Sequence, residues 1–106
     1  MDIEVGEYVR TNYGRICKVI NNDYFMPRYL ECENEMLIDR TNIVKHSKNI
    51  IDLIKVGDYI NGRKVYKITS ACIYCVGKAV QNKFTINIET ILTKEQYEKN
   101  CYRLGD

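Results

Sequence analysis

Cys72-Ile73-Tyr74-Cys75 is a C-x-x-C, the spacing by which two thiolates enter one tetrahedral zinc site when the chain forms a knuckle. A complete site needs a second pair, and the other candidates, Cys17, Cys32, Cys101 and His46, stand singly. The intervening Ile-Tyr has strand character, and residues three apart on a strand face opposite ways. Thioredoxin-like redox chemistry wants this motif at a helix start after a βαβ pattern, which is missing. Cys72 and Cys75 therefore read as small buried hydrophobes, and no metal or other cofactor is expected. His46 is the only histidine. Catalysis would require a carboxylate or nucleophile brought to it by the fold, and its polar neighbours Lys45, Ser47 and Lys48 place it at the surface or at a helix cap. Glu31, Glu33 and Glu35 alternate and so share one strand face, where carboxylates are ordinarily solvated. No phosphate loop, nucleophile elbow or set of four metal ligands is present, and no enzyme activity is expected.

The elements that position these residues are announced by a repeat. Ile3-Glu4-Val5-Gly6-Glu7-Tyr8-Val9 returns as Ile54-Lys55-Val56-Gly57-Asp58-Tyr59-Ile60. Each copy runs on into a Gly-Arg turn, Gly14-Arg15 or Gly62-Arg63, and then an aliphatic strand. Gly6 and Gly57 suit a tight turn. The runs after them are rich in Val, Ile, Tyr and Thr, which favour strands. A type II′ turn at Gly62-Arg63 sets Ile60 opposite Val65 and Asp58 opposite Lys67. The matching register in the first copy sets Val9 opposite Ile16 and Glu7 opposite Lys18. Each copy then carries an aliphatic pair and an acid–lysine pair, worth roughly 0.2–1 kcal/mol each. This register also opposes Arg10 to Arg15, which predicts an exposed, splayed tip.

Further along, Pro27 makes residues 21–29 a loop or edge. Tyr29–Glu33 and Met36–Ile38 read as strands around an Asn34-Glu35 turn. Ile43 and Val44 read as a last strand of the first copy, and Ser47 caps one helical turn bearing Ile50, Leu53 and Ile54. Ile73–Val76 is a buried strand ended by Gly77. Phe84, Ile86 and Ile88 alternate with polar residues, a pattern for a half-buried strand. Thr93-Lys94-Glu95-Gln96 is a capping box that opens a helix to about Tyr102, with Tyr97 and Cys101 inward and Gly105 at its end.

The chain has 106 residues, a net charge of +2, nine tyrosines, two phenylalanines and no tryptophan. A 50-residue lobe alone would be marginal, so the copies are expected to share a core. The modest charge of interspersed sign does not by itself argue for nucleic acid. No apolar run is long enough to span a membrane, and Met1-Asp2-Ile3-Glu4 is not the start of a signal peptide. The expectation is a cytoplasmic chain, monomer or homodimer, with its five cysteines reduced.

The pattern Val-Gly-acid-Tyr-aliphatic followed by Gly-Arg-aliphatic resembles SH3-like small barrels, including the KOW type. The resemblance implies a mainly β (α+β) fold: two related SH3-like β-barrel lobes, 1–46 and 54–106, a short helical linker over 47–53, and a C-terminal helix. KOW-type barrels use hairpin tips on RNA or protein. The resemblance therefore marks Arg10, Tyr13, Arg15 and Lys18, and Arg63, Lys64, Tyr66 and Lys67, as a candidate binding set. Tyr24, Phe25, Met26 and Tyr29 form the densest aromatic cluster, either core or a partner-docking edge.

Three stretches, Val5–Thr11, Asn42–Ile54 and Ile91–Tyr97, also resemble a family of small uncharacterised proteins encoded by phages and prophages of Gram-positive bacteria. That resemblance implies an accessory protein that binds a host protein stoichiometrically, in the manner of an anti-defence or anti-CRISPR inhibitor. Nucleic-acid binding and the sequestering of a small nucleotide between lobes are the alternatives.

Overall fold

The computed structural model describes residues 2–101. The chain divides into two compact units on either side of the Leu53–Ile54 bond. Each unit is one five-stranded antiparallel sheet, and neither sheet closes into a barrel.

In the first unit the strands are β1 Tyr8–Thr11, β2 Ile16–Asn21, β3 Tyr29–Cys32, β4 Met36–Asp39 and β5 Ile43–Ser47. They lie in the order β4-β3-β2-β1-β5, so the last strand returns beside the first. A 3-10 turn, Arg40–Asn42, leads into β5 and a second, Ile50–Leu53, follows it. Ile3, Val9, Val19, Leu30, Cys32, Ile38 and Ile43 form the core, with Cys17 and Met36 packed against it. Leu30 and Cys32 on β3 show the period of two, whereas β1, between two neighbours, buries Val9, Arg10 and Thr11 in succession. Complete burial of an aliphatic side chain contributes about 1.5–3 kcal/mol.

The second unit repeats the connectivity. Its strands are β6 Tyr59–Ile60, β7 Arg63–Ile68, β8 Cys72–Cys75, β9 Gln81–Asn82 and β10 Ile91–Leu92, in the order β10-β6-β7-β8-β9. Ile54, Ile60, Val65, Ile73 and Cys75 are buried. Helix α1, Lys94–Asn100, opens on the expected capping box: Thr93 accepts from Gln96 N–H, and the Gln96 side chain accepts from Thr93 N–H. The inner stripe foreseen for this helix does not form. Tyr97 is 42% exposed and Cys101 is exposed. The cap rather than a buried face anchors it. Tyr102 and Gly105, assigned to its end, lie outside the described residues.

Both expected registers are wrong, and turn chemistry explains why. Ile60 pairs with Arg63, not Val65, because the hairpin turns on Asn61-Gly62, with φ of 51° and 81°. Two positive φ values in sequence make a type I′ turn, which Asn-Gly favours. In the first copy a three-residue loop, Asn12-Tyr13-Gly14, sets Val9 opposite Cys17 and Arg10 opposite Ile16, not Arg15. In the first copy the slip is one residue, which exchanges the faces of β2; in the second it is two, which changes the partners and keeps the faces. Tyrosine, not the acid, faces lysine: Tyr8 lies opposite Lys18 and Tyr59 opposite Lys64. The acids turn inward.

Other expectations also give way. Residues 84–88 form no strand, and Phe84 is 83% exposed. Asn61 takes over the work of a ladder there: its side chain donates to Asn87 O at 2.8 Å and accepts from Glu89 N–H and Thr90 N–H at 2.8 and 3.0 Å. Ser47 lies at the end of β5, where its hydroxyl accepts from Asn49 N–H at 3.1 Å and donates to Asp52 at 2.7 Å.

Candidate functional site

The repeat builds the same device twice. In residues 4–7 a four-residue turn has Gly6 third, at φ 94°, and closes with Glu7 N–H donating to Glu4 O at 3.1 Å. In residues 55–58 Gly57 has φ 101° and Asp58 N–H donates to Lys55 O at 3.1 Å. A type II turn demands this positive φ at its third residue, which glycine adopts without strain. The acid at the fourth position folds back over the turn. Glu4 N–H donates to Glu7 Oε2 at 2.6 Å, and Lys55 N–H to Asp58 Oδ2 at 2.8 Å. The turn then locks to the next strand: Gly6 N–H reaches Val19 O and Val19 N–H reaches Glu7 O, as Gly57 reaches Val65 and Val65 reaches Asp58.

The second oxygen of each acid ties down a distant element. Asp58 Oδ1 accepts from Lys94 N–H at 2.8 Å, at the first residue of α1. Glu7 Oε1 lies 2.9 Å from His46 Nδ1 on β5. The Glu4 N–H bond, and after it His46, hold the Glu7 carboxyl below its ordinary range. The fold has thus brought His46 the carboxylate that its sequence neighbours lack. The histidine is half-buried and orients a clasp; it is neither a surface group nor a helix cap.

The expected binding residues scatter. Arg10, foreseen at an exposed tip, is 2% exposed, and its Nη1 donates to Leu53 O at 2.8 Å. Its charge holds the 3-10 turn after β5 instead of facing outward. Tyr13 and Arg15 are exposed in the first hairpin loop, and Lys18 is half-buried, 5.9 Å from the centre of the Tyr8 ring. Tyr24 and Tyr29 are half-buried, whereas Phe25 is 80% exposed in the β2–β3 loop. Arg40 pins that loop through Pro27 O at 2.8 Å and Asn22 O at 3.1 Å. Only Glu31 of the three alternating glutamates lies on a strand; Glu33 and Glu35 are in the β3–β4 turn.

Lys64 and Tyr66 do come together, on the outer face of the second sheet, whereas Arg63, paired with Ile60, belongs to the opposite face of β7. Val65, Ile73 and Cys75 point into the core, which turns Lys64 and Tyr74 to the opposite face. Lys67 joins them, paired with Tyr74. A β-bulge between Val65 and Lys67 takes Tyr66 out of the ladder. Its ring lies 6.1 Å from that of Tyr74 and is 54% exposed. The Lys67 ammonium sits 5.0 Å from the centre of the Tyr74 ring. Tyr59, opposite Lys64, extends the face and stacks on Tyr97 at 4.8 Å. At the first residue of β7, Arg63 Nη1 donates to Gly77 O at 2.9 Å, holding its guanidinium near the loop that carries Lys78.

The charge of this region is one-sided. Between Asp58 and Glu89 the sequence has five lysines or arginines (Arg63, Lys64, Lys67, Lys78 and Lys83) and no acid. The small net charge of the whole chain conceals this run, because residues 1–53 hold nine acids against seven bases. A scan of local charge would have found it. Tyr59 and Tyr74, which sequence reasoning left out of the binding set, fall within the same run.

Four of the five cysteines lie on strands, and Cys101 alone is exposed. Cys72 is half-buried and Cys75 buried, on opposite faces of β8. Cys17 and Cys32, on adjacent strands, share a thiol hydrogen bond that favours the Cys17 thiolate and pushes the Cys32 thiol up. Among the described residues no group of three or more His, Cys, Asp or Glu converges as metal ligands would. No described helix is long and apolar enough to cross a membrane. Compared with known proteins, the chain matches no family model, no curated protein and no solved structure.

Proposed function

We propose that this protein is a non-enzymatic binding module whose second unit engages nucleic acid. The observation that carries this reading is the outer face of the second sheet. There Lys64 and Lys67 flank the projecting Tyr66 ring in a stretch without a single carboxylate. A polyanion gains from such a face by releasing condensed counterions, and the bases find rings to stack on. Both units are read as SH3-like. The strand order, with the fifth strand beside the first, supports this, as does the 3-10 turn before β5 in the first unit.

The test is fluorescence anisotropy of the full chain with labelled oligo(dT) between about 50 and 200 mM salt. Engagement of two or three phosphates gives a slope of log affinity on log salt of about −1.5 to −2. Lys64→Glu with Lys67→Glu should abolish the signal. Binding untouched by this double reversal would refute the reading.

A protein partner is the second reading, and the β2–β3 loop favours it. Phe25 is 80% exposed on a loop that Arg40 holds in place, and its ring lies 4.6 Å from Tyr24. A preformed aromatic anchor of this kind suits a protein pocket. The phage-accessory role, with a host protein as target in an anti-defence setting, belongs to this reading. Phe25→Ala should then abolish capture of a specific host protein and leave nucleic-acid affinity unchanged.

A further inference from the structure

We infer that the strand bound by the second sheet is single, with a base stacked on Tyr66 and its flanking phosphates held by Lys64 and Lys67. The inference rests on the nucleic-acid reading above and narrows its ligand.

The first argument is width. The B-DNA major groove is about 12 Å wide, and the face that carries these residues lies on three adjacent strands, β6, β7 and β8. The groove admits a helix or a two-stranded ribbon, and the broad outer face of β6, β7 and β8 is neither. Nor does any described helix bear a basic reading face. α1 has seven residues, and Lys94 and Lys99 share it with Glu95 and Glu98. For a base to stack on Tyr66 it must come out to the sheet, which a stacked duplex resists and a single strand does freely.

The second argument is the bulge. Bulges re-aim side chains and are frequent beside functional sites. This one takes Tyr66 out of the β7–β8 ladder, so the ring stands half-exposed above the sheet. The neighbouring Tyr74 is less accessible, since Lys67 lies over its ring at 5.0 Å. Tyr66 is the open platform and Tyr74 its support. Lys64 lies two residues before Tyr66, about 6.7 Å along the strand, and Lys67 follows it directly. One cation stands on either side of the platform, where the backbone of a stacked nucleotide would pass. Ring stacking and phosphate pairing both tolerate any base, so binding is weakly selective for sequence.

The experiment compares labelled oligo(dT) and oligo(rU) strands with an oligo(dA)·oligo(dT) duplex at one salt concentration. It uses the wild-type chain, Tyr66→Ala, Tyr66→Phe and the Lys64→Glu/Lys67→Glu double variant. The single strands should bind more tightly than the duplex. Tyr66→Ala should weaken them about ten-fold or more, while Tyr66→Phe, which keeps the ring, stays within about two-fold of wild type. A preference between the two single strands shows whether the 2′-hydroxyl is sensed. Duplex binding as tight as single-strand binding would overturn this inference and leave the nucleic-acid reading standing. So would Tyr66→Ala matching wild type while the double variant fails. Absence of binding to every probe at low salt would overturn both. Circular dichroism of each variant separates loss of binding from loss of fold, and Tyr66→Phe serves as the control that packs like wild type.

Discussion

Replacing Asp58 with asparagine should cost the second unit about 2–3 kcal/mol. The carboxylate is fully buried and accepts from Lys55 N–H and Lys94 N–H, each at 2.8 Å. A hydrogen bond to a charged acceptor contributes about 1.5–3 kcal/mol. An amide of the same shape keeps one oxygen for one of these donors and turns an N–H₂ group toward the other. One charged bond is lost and a buried backbone N–H is left facing a donor, at about 1–3 kcal/mol. These are two descriptions of one event and overlap. For a small domain each kcal/mol lowers the melting temperature by roughly 4–8 °C, so the expected drop is about 10–20 °C. Urea unfolding followed by circular dichroism measures the free energy, and an unchanged m-value confirms that the same surface unfolds. Amide hydrogen exchange supplies the local readout, with protection at Lys55 and Lys94 falling most. A variant within about 0.5 kcal/mol of wild type would be no worse than a neutral surface change. That result, or unchanged protection at Lys94, would refute the claim that the repeated acid clasps the turn to the helix.

Glu7 makes the corresponding prediction for pH. Its folded carboxyl titrates below its ordinary value of 4.5, first through the Glu4 N–H bond and then through His46. Its contribution is therefore complete above that value and is lost as pH falls through the lower folded pKa. Urea midpoints measured from neutral pH down to about 3 should fall less steeply in Glu7→Gln than in wild type. Asn61→Gly keeps the positive φ of the type I′ turn but loses the bonds to Asn87, Glu89 and Thr90, whereas Asn61→Ala loses both. Chemical denaturation should rank wild type above Asn61→Gly above Asn61→Ala, with the last about 2 kcal/mol down; a reversed order of the two variants would exclude the turn assignment. Iodoacetamide labelling followed by peptide mass spectrometry should modify exposed Cys101 first, then half-buried Cys17, and last Cys32 and Cys75. Early modification of Cys32 would contradict the core placement.

Much of the architecture is written locally in the chain. The repeated Val-Gly-acid-Tyr heptad, the Asn34-Glu35 turn, the Ile73–Cys75 strand and the Thr93 capping box each depend on contacts within a few residues. Backbone geometry and short-range hydrogen bonding suffice to announce them. The acid-free run from Tyr59 to Ile88 is also a property of sequence, legible once charge is taken region by region. Register is different. It turned on whether Asn61-Gly62 or Gly62-Arg63 formed the corner, a choice of one residue that both dipeptides make credible. Each residue of that hairpin changes its cross-strand partner with the choice, while in the first copy, where the slip is one residue, β2 exchanges faces as well.

Tertiary structure decided the rest. It buried Arg10 against the turn that follows β5, although the chain alone puts that arginine beside an exposed loop. It brought Glu7 to His46 across thirty-nine residues, a pairing that no spacing rule contains. It left Phe84 outside a strand, because Asn82 turns the chain there: its side chain accepts from Phe84 N–H and its carbonyl from Thr85 and Ile86 N–H. Above all it selected the face on which the tyrosines and lysines of the second sheet meet. Composition specifies that these residues exist. Only the pleat and its bulge determine that Lys64, Tyr66 and Lys67 stand together above the sheet, since a strand shows alternate residues to opposite sides.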